Sequence, residues 1–158
     1  MELYFLRHGA AAARADWEGD DSQRPLTDQG REDMTRMAGL LARMAPALDA
    51  IVTSPYVRSS ETAEIVAQHL DMQDKVVIDD RLEPGFDAGR LGKLLKKFPE
   101  AKALLLVGHE PDFTTTIGEL TGGRIVLKKG GMGYVETADG SLKKAVLVWL
   151  VQPNVTGA

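Results

Sequence analysis

The 158-residue chain has no cysteine. No disulfide framework and no thiolate metal site is therefore available to it. It has no excess of positive charge. Its 19 Lys and Arg stand against 23 Asp and Glu, for a formal net charge of -4. That balance argues against a general nucleic-acid binder. No apolar run approaches the length that spans a membrane. The apolar start at Leu3 to Leu6 is too short for the core of a signal peptide, and no basic segment precedes it. There is no internal repeat, no low-complexity linker and no Gly-x-Ser-x-Gly nucleophile elbow.

What is present is a globular balance, with 44% apolar and 27% charged residues. A single domain over residues 1–158 is expected, large enough to bury a core. A cytoplasmic location is the default expectation.

The order of elements predicts an α/β fold. Residues 2–7 read as a short buried strand. The polar loop that follows, Ala10 to Arg24, is long for a compact domain and so invites a functional role. Thr27 is placed to cap a helix, on which Met34, Met37, Ala38, Leu41 and Met44 share a core-facing stripe. A second strand is expected at 49–54, and Ser54-Pro55 reads as the cap and first residue of a helix reaching Leu70. A third strand covers 75–79, and a helix 88–98. Lys102 to His109 reads as a central parallel strand because it is apolar throughout. A helix over 111–120 closes at Gly122-Gly123. The tail from Arg124 suggests two or three antiparallel strands, with hairpin chemistry at Ala138-Asp139-Gly140. Alternating strands and helices with a β-rich end imply a three-layer sandwich around a mostly parallel central sheet flanked by helices.

Three strand ends carry residues that a core has no use for. The first ends in Arg7-His8-Gly9. The second ends in Thr53-Ser54-Pro55, with Arg58 one turn further on. The fourth ends in Gly108-His109-Glu110-Pro111. Charged groups at the mouths of core strands are expensive unless something there uses them. Ligands of open α/β sheets bind beyond the carboxyl ends of the strands. Parallel neighbours would bring Arg7, His8, Arg58 and His109 together beside two helix N-termini, which favour anions. Two guanidiniums and two imidazoles describe a pocket for a multiply charged oxyanion, with phosphate the first candidate. A metal centre is disfavoured, since both arginines would repel a divalent cation. Ser54 is read as a helix cap rather than a nucleophile. His69 is read as a surface residue. Arg24 is read as pinning the long loop, and Lys128-Lys129 as solvated strand residues.

Four ordered motifs then resemble a known family. Leu6-Arg7-His8-Gly9, Arg24-Pro25-Leu26-Thr27, Ser54-Pro55-Tyr56-Val57-Arg58-Ser59-Ser60-Glu61-Thr62 and Gly108-His109-Glu110-Pro111 look like the histidine phosphatase superfamily. The small size and the Gly-His-Glu-Pro form are most similar to its SixA branch, the phosphohistidine phosphatases. The resemblance covers residues 1 to about 130.

It implies a phosphoglycerate mutase-like fold and a metal-independent phosphatase that needs no cofactor. It implies His8 as the nucleophile that takes the phosphoryl group on a ring nitrogen. Arg7, Arg58 and His109 would hold the phosphate oxygens. Gly9, by letting the backbone pass close to the ligand, and Glu110 complete the expected substrate contacts. His8 must be neutral to attack, and the nearby arginines should lower its pKa. His109 is expected to bind phosphate in its protonated form.

Two departures bear on substrate. Ala10 and Ala11 stand where many members carry a polar residue and then threonine. Mutase and phosphomonoesterase relatives carry a glutamate acid after the third strand, and Glu83 stands one residue out of that register. An imidazole leaving group can take a proton on its own nitrogen, so it depends less on such an acid than an alcohol does. The expectation is a phosphatase acting on phosphohistidine of a signalling or phosphotransfer protein. The alternatives are a small-molecule phosphomonoesterase of the same superfamily, with Glu83 as its acid, and a non-catalytic phosphoprotein-binding module. Mutase activity is least expected, because the short chain lacks obvious insertions to hold an intermediate.

Overall fold

The computed structural model describes residues 1–138 and 141–155. Ten regular elements follow in order: β1 (Glu2–Arg7), α1 (Asp28–Met44), β2 (Ala50–Thr53), α2 (Val57–His69), β3 (Val76–Ile78), α3 (Ala88–Leu95), β4 (Ala103–Gly108), α4 (Asp112–Thr121), β5 (Met132–Thr137) and β6 (Ala145–Val151). One six-stranded sheet has the order β3-β2-β4-β1-β5-β6. β1 to β4 run parallel, β5 reverses against β1, and β6 reverses against β5. The mostly parallel sheet is as the alternating pattern implied.

Side-chain alternation along β4 builds the layers. Leu105 and Val107 face a core with Met34, Met37 and Leu41 of α1 and Val66 of α2. Leu104 and Leu106 face the other way, against Leu91 and Leu94 of α3 and Phe113 and Ile117 of α4. Every residue of β4 is buried, as a strand covered on both faces must be. Truncating one of its leucines to alanine should cost about 2–5 kcal/mol.

Several local readings hold and several need correction. The Thr27 hydroxyl accepts from the Gly30 N–H at 3.0 Å, so it caps α1. Gly122 closes α4 in the left-handed region. Met44 lies in the last turn of α1 and is exposed rather than in the core. Ser54 is not the cap of α2, which begins at Val57 with Tyr56 at the cap position. α3 ends at Leu95, three residues short of its predicted end. Residues 124–131 do not form a strand; Lys128 and Lys129 sit on a turn closed by the Gly131 N–H donating to the Lys128 carbonyl at 2.7 Å. The predicted hairpin turn involves Asp139 and Gly140, which lie outside the described residues.

The long loop after β1 is ordered by its own contacts. Ala11 and Leu26 form an antiparallel bridge, and Ala12 N–H donates to the Pro25 carbonyl. Two single 3-10 turns, Arg14–Asp16 and Asp21–Gln23, fill the excursion between them. Among the described residues no helix is long and apolar enough to cross a membrane.

Candidate active site

The register of the parallel strands assembles the site. Arg7 pairs with Gly108, and Thr53 with Val107, so the three strands end side by side. Just past those ends, the His8 N–H donates to the Gly108 carbonyl at 3.1 Å. The Ser54 N–H donates to the Val107 carbonyl at 3.0 Å. His8 and Ser54 are therefore fixed by backbone pairing along the strand ends, and the His109 carbonyl accepts from the Phe113 N–H of α4 at 3.1 Å. The strand-end convergence of Arg7, His8, Arg58 and His109 expected from sequence is present.

His8 is buried, and both ring nitrogens are committed. Nδ1 lies 2.8 Å from the Gly9 carbonyl, which can only accept, so Nδ1 carries the proton. Nε2 is left with its lone pair and accepts from Arg58 Nε at 3.2 Å. Burial pushes the His8 pKa down to about 3, assisted by His109 and the charges of Arg58 and Arg7 and only partly opposed by the Gly9 hydrogen bond. The imidazole is thus neutral, with Nε2 as its available nucleophilic atom.

Arg58 is held on three sides. Besides its bond to His8, Nη1 donates to the Asp21 carbonyl at 2.7 Å and Nη2 to Asp21 Oδ2 at 3.0 Å. Tyr56 lies under the guanidinium, 4.9 Å from its ring centroid to the central carbon. Partial burial works against the Asp21 carboxylate, but the Arg58 and Arg24 charges outweigh it and hold its pKa below the usual range. Arg24 pins the loop as expected, through Asp21 Oδ1 at 3.0 Å and the Ala12 carbonyl at 2.6 Å. Asp21 was not anticipated from sequence. The available signal was a carboxylate three residues before Arg24, inside a loop already marked by its length.

His109 packs edge-on to His8, with ring centroids 5.2 Å apart, and against Tyr56 at 4.9 Å. Its Nε2 lies 2.9 Å from Ser54 Oγ and 3.5 Å from Ser59 Oγ. Ser54 therefore serves the second histidine as well as the entry to α2, where its Oγ accepts from the Tyr56 N–H at 3.3 Å. Burial, then the Arg58 charge, push the His109 pKa down to about 3, with Asp21 opposing. The ring is neutral without phosphate, whereas the expectation of a protonated ligand concerns the phosphate-bound form. An incoming phosphoryl dianion would supply the opposite field and favour its protonation.

Two buried nitrogens have no hydrogen-bond partner: Arg7 Nε and His109 Nδ1. Buried polar groups left unpaired are costly, and Arg7 Nε can only donate. Arg7 is otherwise anchored by Nη1 donating to the Leu127 carbonyl at 2.9 Å. These groups line a cavity of about 390 Å³ shared with Arg14, Arg24 and Lys129. Among the described residues no group of three or more His, Cys, Asp or Glu is placed to hold a metal ion.

The remaining expected residues take other positions. Glu110 borders the cavity, but its Oε1 accepts from the Thr114 N–H at 3.0 Å in the first turn of α4, and its charge would repel phosphate. Gly9 allows a close approach to α1 rather than to a ligand; a Cβ there would lie 3.0 Å from the Gly30 carbonyl and 2.8 Å from Met34 Cγ. Glu83 is half-buried at the end of the turn Asp80–Leu82, and its neighbour Pro84 is the residue that reaches the cavity wall. His69 is exposed at the end of α2, as expected.

The motif residues after Arg58 are clamps. Thr62 Oγ1 accepts from the Gly9 N–H at 3.2 Å and donates to the Arg58 carbonyl at 2.7 Å. Glu61 accepts from the Leu26 N–H at 2.7 Å and from Arg31 at 3.0 Å. The two tie α2 to the catalytic strand and to the end of the long loop.

A neutral histidine with a directed lone pair, beside two guanidiniums at the strand ends of an α/β sandwich, makes a pocket suited to a phosphoryl oxyanion. The sequence profile of the histidine phosphatase superfamily (branch 1) matches residues 3–109, and the chain belongs to that superfamily. Its comparison with known proteins agrees with a phosphatase of this kind. It is 37% identical over 140 residues to an uncharacterized protein of Picosynechococcus, covering 84% of this chain and 82% of that one. It is 28% identical over 125 residues to the phosphohistidine phosphatase SixA of Escherichia coli, covering 78% and 76%. The fold matches a structure of the protein histidine phosphatase SixA complexed with tungstate, with a TM-score of 0.86, 23% identity and 98% of both chains covered.

Proposed function

We propose that this protein is a phosphohistidine phosphatase working through a phosphoryl-enzyme intermediate on His8, in the manner of SixA, and that it acts on a phosphorylated protein in the cytoplasm. The observation that carries the reading is the state of His8: Nδ1–H is held by Gly9, and Nε2 faces Arg58 with its lone pair free of a proton. A binding module would need the arginines but not a histidine prepared in this way.

In the first step Nε2 of His8 forms a bond to phosphorus, and the phosphorus–nitrogen bond of the substrate breaks. The substrate imidazole, already protonated by solvent on its other ring nitrogen, leaves as neutral imidazole with the electron pair of the broken bond. Arg58, Arg7 and His109 hold the phosphoryl oxygens, where charge is spread in the transition state. In the second step water attacks phosphorus from the vacated side. The His8 phosphorus–nitrogen bond breaks, and neutral His8 and inorganic phosphate are returned.

The position of Glu83 supports the choice of leaving group. Among the described residues the carboxylates bordering the cavity are Glu110, engaged with the α4 backbone, and Asp21, held ionised by Arg58 and Arg24. A site without a placed carboxylic acid suits a leaving group that accepts its own proton. The test is phosphate release from a phosphohistidine protein, p-nitrophenyl phosphate and a phosphoserine peptide, with a chelator present. Release that depends on His8 and is fastest from phosphohistidine is expected. Release chiefly from esters, slowed strongly by Glu83→Gln, would make the enzyme a phosphomonoesterase. Tight binding without release would make it a binding module.

A further inference from the structure

A second cavity of about 590 Å³ lies beside the first, and Arg7 and Lys129 line both. Its other walls carry Lys128, Arg36 and Asp33. Arg36 is ion-paired with Asp33. Lys128 and Lys129 are exposed and enter no ion pair among the described residues. The groove is therefore strongly positive in a chain whose net charge is -4.

The lysine turn is fastened in place from both sides. The Arg7 N–H donates to the Gly131 carbonyl, the Gly130 N–H to the His8 carbonyl, and Arg7 Nη1 to the Leu127 carbonyl, at 2.9–3.0 Å. Gln152 grips the far side, accepting from the Lys128 N–H at 2.9 Å and donating to the Val126 carbonyl at 2.6 Å. Gly130 has a φ of 71°, and a Cβ there would lie 2.2 Å from Met34 Cε. Solvated surface lysines need no such support. Here the backbone that carries them is bonded to Arg7 and to His8 itself.

We infer that this groove is a substrate-recognition site that binds an acidic segment of the phosphoprotein next to its phosphohistidine, with Lys128, Lys129 and Arg36 meeting its carboxylates. The inference rests on the phosphohistidine reading and deepens it. An open groove continuous with the catalytic cavity suits a chain that passes through both. A single small phosphate would leave the lysine turn without a partner.

The experiment compares two phosphohistidine peptides, one with Asp and Glu flanking the histidine and one with Asn and Gln, alongside p-nitrophenyl phosphate. The wild type and a Lys128→Ala/Arg36→Ala variant are assayed together; neither substituted residue lines the catalytic cavity. The wild type should favour the acidic peptide in kcat/KM by roughly five- to tenfold, the scale of a few exposed charge pairs. That preference should shrink in high salt and vanish in the variant, with p-nitrophenyl phosphate turnover unchanged. Equal rates on the two peptides in the wild type, or a preference that survives in the variant, would overturn the inference and leave the phosphohistidine reading intact. If neither peptide is turned over, that reading fails. The groove is then judged by inhibition of p-nitrophenyl phosphate hydrolysis by the unphosphorylated acidic peptide, and absence of variant-sensitive inhibition overturns it. A nucleoside triphosphate preferred over both peptides and dependent on the same residues would assign the groove to phosphate and overturn it as well.

Discussion

Arg58 donates from Nε to Nε2 of His8 across 3.2 Å, so its guanidinium rests on the lone pair of the imidazole. Burial keeps Nε2 unprotonated, and the Arg58 charge beside it adds to that effect. The arrangement also leaves the Arg58 Nε–H donor directly beside Nε2. Asp21, on the far side, decides where that donor points.

Asp21 is a positioning residue for Arg58. Asp21→Ala removes the carboxylate at 3.0 Å from Nη2 and leaves the backbone carbonyl, His8 and Tyr56 as the contacts of the guanidinium. Misplacing a transition-state donor by about an ångström costs up to ~10²-fold, so kcat should fall about 10- to 100-fold. Asp21→Asn keeps an acceptor oxygen and should recover most of that loss. A merely structural role predicts equal damage from both, so kcat for the two variants, with their thermal midpoints as controls, separates the cases.

Acid should destabilise the fold earlier than its carboxylates alone require. His8 and His109 have folded pKa values near 3, against 6.5 in the unfolded chain. Between those values the unfolded state binds the extra protons, so stability falls as pH falls below about 6.5. The slope is about 1.4 kcal/mol per pH unit for each histidine. Urea midpoints at pH 7, 6 and 5 should drop, and His109→Gln should remove about half of the dependence in that window. A flat profile would mean that the rings titrate freely.

Gly30→Ala should damage stability and activity together. A Cβ at Gly30 would lie 2.1 Å from the Ala10 carbonyl, which accepts from Thr27 N–H and its hydroxyl. The clash is with backbone two residues beyond His8. Overpacking of this kind costs about 1–3 kcal/mol, or roughly 2–10 °C in Tm at this chain length. Differential scanning calorimetry and steady-state turnover check the two effects.

Much of this molecule is legible in its sequence, for definable reasons. β4 reads correctly because burial on both faces makes a strand continuously apolar. Arg7, His8, Arg58 and His109 are legible because polar groups at strand ends are anomalous, and parallel register makes them converge. The roles of Asp21 and Ser54 are not, since both depend on which partner crosses from another element. Ser54-Pro55 carries a strong helix-start signal, yet its hydroxyl is 2.9 Å from His109, 55 residues away. Arg124 to Lys129 has strand-like composition but no strand partner, because the turn is bonded instead to Arg7 and His8. Local pattern fixes element type; it says little about contacts made across the fold.

The central claim is that His8 Nε2 carries the phosphoryl group. The direct measurement is mass spectrometry of the enzyme quenched in alkali during turnover of a phosphohistidine substrate, with His8→Ala as the control. A single phosphoryl adduct on the peptide containing His8, present only during turnover and absent in the inactive His8→Ala variant, is the predicted result. Undiminished turnover in His8→Ala, or an adduct on His109 in place of His8, would contradict the account.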